Sequence, residues 1–66
     1  MTRLVLVDLH ARGAVEAIRA TRGAAPGATI VAFGSHVETA ALEAAREAGA
    51  DRVMARSAFV RELPAL

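Results

Sequence analysis

The sequence predicts an open α/β domain, a three-stranded parallel sheet in βαβαβ order followed by a short C-terminal helix. Three observations point there. Strand-length segments, apolar or rich in β-branched residues, occur at Leu4 to Val7, Thr29 to Phe33 and Arg52 to Ala55. Helical periodicity fills Gly13 to Arg22 and Ser35 to Ala48 between them. Glycine and proline punctuate each change of period. Alternation of this kind pairs strands in parallel through right-handed crossovers.

Leu4-Val5-Leu6-Val7 runs without polar alternation into Asp8, as a strand buried on both faces does. The first helix turns Ala14, Val15 and Ile18 inward and Glu16, Arg19 and Arg22 outward. Gly23 reads as its C-cap, and Pro26 cannot continue it. Ser35 with Glu38 three residues on reads as a capping box. The second helix should therefore start there and run to about Ala48, with Val37, Ala41, Ala44 and Ala48 inward. Gly49 stops it, and Ser57 is expected to cap a last segment through Leu63 before Pro64. With the strands in sequence order, both long helices fall on one face. Only the C-terminal segment is left to cover the other.

Composition narrows the function. Sixty-six residues make one domain, 1–66, near the lower limit of independent stability. The absence of cysteine removes disulfides and thiolate metal sites, and it fits a reducing, cytoplasmic setting. No run of about 20 apolar residues is present to span a membrane. All eight basic residues are arginines, interspersed with seven acidic ones and joined by only two aromatics, which argues against a nucleic-acid surface. Yet 55% of the residues are hydrophobic. That much apolar surface on so short a chain suggests a partner subunit.

Val5-Leu6-Val7-Asp8-Leu9, Ile30-Val31-Ala32-Phe33 after a proline-containing loop, and Ala48-Gly49-Ala50-Asp51 together resemble the third to fifth strands of a response-regulator receiver. The resemblance implies a flavodoxin-like half domain and a place in two-component signalling. It puts Asp8 at the phosphoacceptor position. Gly34 stands where a receiver has a Thr or Ser hydroxyl, with Ser35 one step later, and Arg56-Ser57 replaces Lys-Pro. The acidic pair that holds Mg²⁺ in receivers belongs to a strand with no counterpart in this sequence. Phosphoryl transfer to a carboxylate needs a metal and a cation against the phosphoryl oxygens, so a pseudo-receiver without catalytic residues, cofactor or metal is expected.

Ligands of open parallel sheets bind beyond the carboxyl ends of the strands. That edge should gather Asp8, His10, Gly34, Ser35, His36, Arg56 and Ser57. The simplest reading of Asp8 is a strand-end carboxylate paired with Arg56 or bonded to loop amides. His10 and His36 lack metal-ligand spacing. Gly34, Ser35, His36 and Arg56 form a possible anion site, since the amides of a helix start attract phosphate. The expected function is a receiver-like interaction module acting through self-association, with a signalling protein as a further possible partner. The alternative is a phosphate or small-ligand sensor at the carboxyl edge. The expected homodimer interface comprises Leu4, Leu6, Phe59, Leu63 and Leu66, with first strands paired antiparallel or uncovered faces stacked.

Overall fold

A computed structural model describes residues 3–65. Strands β1 (Leu4–Asp8), β2 (Thr29–Gly34) and β3 (Arg52–Ala55) alternate with helices α1 (Ala14–Ala24), α2 (Thr39–Ala48) and α3 (Arg56–Glu62). A 3₁₀ turn, Leu63–Ala65, follows α3. The sheet is parallel in the order β1-β2-β3, with Leu4 opposite Thr29 and Val31 opposite Arg52. The predicted fold class, strand order and placement of the two long helices on one face all hold.

Strand periodicity divides the core in two. On the α1/α2 face, Ile18, Ile30, Ala32, Ala45 and Ala48 are buried, with Val5, Val7, Leu9 and Val15 against them. On the other face, Val31, Met54 and Phe59 pack together beside Phe33 and Ala58. Phe59 lies parallel to Phe33 at a centroid distance of 4.1 Å. It is therefore buried within the single chain, where the sequence reading places it in the homodimer interface. α3 covers only the β2–β3 half of its face. Leu4 and Leu6, on the same face of β1, keep 43% and 46% of their surface exposed. Burial of β1 on both faces is thus met on one side only.

Helix boundaries differ from expectation where the same local chemistry serves two geometries. Ser35 and Glu38 form no capping box. The Glu38 amide donates to the Ser35 carbonyl at 3.0 Å, closing a turn, and α2 begins at Thr39. Val37 is accordingly exposed rather than inward, and Ala45 replaces it in the core. Gly23 lies inside α1, which continues to Ala24. Ser57 lies inside α3, whose N-cap position is Ala55, and Pro64 sits within the 3₁₀ turn. Leu66 lies outside the described residues.

One side chain joins four segments at the amino-end edge of the sheet. From the last turn of α1, Arg22 Nε and Nη2 donate to the Gly49 carbonyl at 3.0 and 2.8 Å. Nη1 donates to the carbonyls of Pro26 and Ala28 at 2.8 and 2.9 Å. Nη2 also meets Asp51 Oδ2 at 2.5 Å. The planar guanidinium has five N–H donors, and this set of acceptors occupies all of them. Asp51 Oδ2 accepts the Ile30 amide at 2.7 Å, while the Asp51 amide donates to the Ile30 carbonyl at 2.8 Å. The side chain thereby continues the β2–β3 ladder one residue before β3 begins. The Ile30 amide and then Arg22 hold the Asp51 carboxyl below the ordinary carboxylate value. Gly49, at φ 122°, is needed twice over, because a Cβ there would stand 3.0 Å from Arg22 Cγ.

Lysine cannot reproduce this fork. Arg22→Lys is expected to cost on the order of 2 kcal/mol, or roughly 10 °C in Tm for a domain this small. Arg19→Lys, on the exposed side of the same helix, serves as the control in the same thermal melts and should leave Tm unchanged.

Candidate functional site

The carboxyl edge is built by the ends of all three strands. Asp8 ends β1, and its Oδ1 accepts the His10 amide at 2.9 Å, fixing the turn into α1. The first residue of α3, Arg56, reaches across the edge to the same oxygen at 2.8 Å. Its guanidinium carbon also lies 5.1 Å from the centre of the Phe33 ring. The pairing of Asp8 with Arg56 expected from sequence is the observed one. The His10 amide, then Arg56, keeps the Asp8 carboxyl below its ordinary value, so the ionised form is the one the fold favours. Both partners are roughly half exposed, which limits what the pair adds to stability.

The remaining predicted residues separate into two groups. Ser35, His36, Arg56 and Ser57 line an open groove of about 940 Å³ with Val60 and Arg61. Gly34 does not belong to it. A Cβ at Gly34 would lie 3.2 Å from Leu9 Cβ and 3.8 Å from Leu42 Cδ2. A side chain there would crowd Leu9, which packs over the strand end. The anion site expected at a helix start is also rearranged. Residues 35–37 precede α2, and the Ser35 hydroxyl accepts the Val37 amide at 3.4 Å while its carbonyl takes the Glu38 amide. Arg56 and Arg61 bring positive charge to the groove beside Ser35 and His36. His10 and His36 are exposed and are not brought together with Asp8 as a metal-ligand cluster among the described residues.

Sequence reasoning passes over Arg61 and Leu9 at this edge. Leu9 follows the strand-end Asp and signals only packing. Arg61 falls one turn after Ser57, and its side of α3 becomes visible only once Phe59 is known to face the sheet.

Comparison with known proteins bears on the fold. Neither a protein-family model nor a curated protein matches the sequence. Among solved structures, the chain is similar to a response regulator from Thermotoga maritima, with a TM-score of 0.72 and 18% identity. The match covers 96% of this chain and 57% of that one, so the chain spans little more than half the length of its structural relative. The fold is therefore that of a partial, receiver-like α/β domain of the flavodoxin-like class. Asp8, Gly34 and Arg56 occupy its carboxyl edge as an ion pair and a leucine-packed strand end.

The closure over Gly34 makes a prediction. Gly34→Thr, which would supply the hydroxyl expected in a receiver, should lower stability by about 1–3 kcal/mol through overpacking against Leu9. In a Leu9→Ala background the same substitution should cost less, and a double-mutant cycle on Tm measures the coupling.

Proposed function

We propose that this chain is a non-enzymatic, receiver-like interaction module that acts through self-association as a two-fold dimer. One observation carries the proposal. Leu4 and Leu6 form an exposed apolar floor, and α3 forms its wall. Arg56, Val60 and Leu63 share one side of α3 by i, i+4, i+7 spacing. Arg56 reaches Asp8 at the end of β1 from that side. Val60 and Leu63 are 58% and 45% exposed, comparable to Leu4 and Leu6 at 43% and 46%. Standard interfaces bury roughly 800 Å² per partner, enough to cover these side chains and add stability that a small core lacks.

The non-enzymatic part rests on the carboxyl edge. Asp8 is engaged by Arg56, and the position of the receiver hydroxyl is a glycine packed under Leu9. An anion-sensing role would have to compete with Asp8 for Arg56.

A dimer unfolds at a temperature that depends on concentration. A hundredfold dilution should lower Tm by roughly 10 °C in the native protein. Asp8→Asn should retain this dependence, whereas Leu6→Lys should abolish it or prevent folding. A Tm independent of concentration in the native protein would contradict the proposal.

A further inference from the structure

α3 differs from the other helices in what holds it. It has seven residues, too few to be stable alone, and Phe59 is its one buried side chain. Each of its two ends carries one exposed ion pair, and Arg56 also lies over the Phe33 ring. At the first residue, Arg56 Nη2 meets Asp8 Oδ1 at 2.8 Å, with the side chains 49% and 42% exposed. At the last, Glu62 receives Arg52 Nη2 on both carboxylate oxygens at 3.1 Å, with 49% and 43% exposed. Exposed pairs of this kind are weak and are screened by salt. By contrast, α1 and the end of α2 are joined by the Arg22 cluster, which includes part-buried bonds to backbone carbonyls.

Beneath α3 lie Val31, Met54 and the ring of Phe33. They are on the same face of the sheet as Leu4 and Leu6. We infer that α3 is a latched cover, held by the Asp8–Arg56 and Arg52–Glu62 pairs, whose opening extends the exposed apolar floor of β1 across all three strands. Opening leaves the opposite core unchanged, because Ile18, Ile30, Ala32, Ala45 and Ala48 make their contacts on the other face. The device sets how much apolar sheet face the chain exposes. It does not require the self-association proposed above, since both latches and the covered residues belong to one chain.

Native-state hydrogen exchange distinguishes a cover from an integral helix. The amides of Val60 to Glu62 should exchange through a local opening, at least tenfold faster than those of Ile30 and Ala32. Doubling the defect with Asp8→Asn and Glu62→Gln, at the same protein concentration, should speed α3 exchange about tenfold further. Ile30 and Ala32 should be unaffected, and 0.5 M NaCl should move native α3 in the same direction. If α3 amides show the protection of β2 in both proteins, α3 opens only with the whole domain and the inference is wrong. Variant and native protein are compared at one concentration, so failure here leaves the concentration dependence of Tm as an independent test of association.

Discussion

The arrangement depends on Arg22. Parallel strands need long crossovers, and each crossover returns the chain to the amino-end edge of the sheet. In this chain the returning segments bring three backbone carbonyls, those of Pro26, Ala28 and Gly49, close to one point. Arg22 supplies donors to all three and a charge to Asp51, which in turn satisfies the Ile30 amide. Carbonyls left unpaired in a partly buried turn would each carry a desolvation cost. One side chain therefore fixes the end of α1, the start of β2, the end of α2 and the entry to β3.

Fixing that edge leaves the opposite one to looser chemistry. At the carboxyl edge the strands end in a short turn, a leucine-packed glycine and an exposed ion pair. The same division appears between the two faces of the sheet. The α1/α2 face is closed by two long helices, whereas the other has one short helix and an open strip over β1. Ile18, Ile30 and Val31 are the largest side chains wholly buried, which is a small core for 66 residues. A partner on the open face would complete it.

What is legible in the sequence follows from the range of each interaction. The strands can be read because β-branched and apolar runs carry their own period, and β3 falls on Arg52–Ala55 as expected. Asp8 and Arg56 can be paired because parallel topology brings the ends of β1 and β3 to one edge. The start of α2 escapes a sequence reading because Ser35 and Glu38 suit a capping box and a closed turn equally, and only the path from β2 to α2 decides between them. Arg22 reads as a solvent-facing residue. Its acceptors at Gly49 and Asp51 lie 27 and 29 residues away, and backbone carbonyls leave no mark in a sequence. Phe59 reads as part of an interface between copies because nothing local links it to Phe33; its stacking on that ring is a tertiary fact.

If the uncovered half of the sheet is an association surface, the oligomeric state must show it. Sedimentation equilibrium of the native chain at low micromolar concentration tests this most directly. Association through that surface predicts a species of twice the 6.8 kDa chain mass that dissociates on dilution. A compact, cooperatively folded monomer at every concentration would contradict it, because Leu4, Leu6, Val60 and Leu63 would then remain exposed in a stable protein.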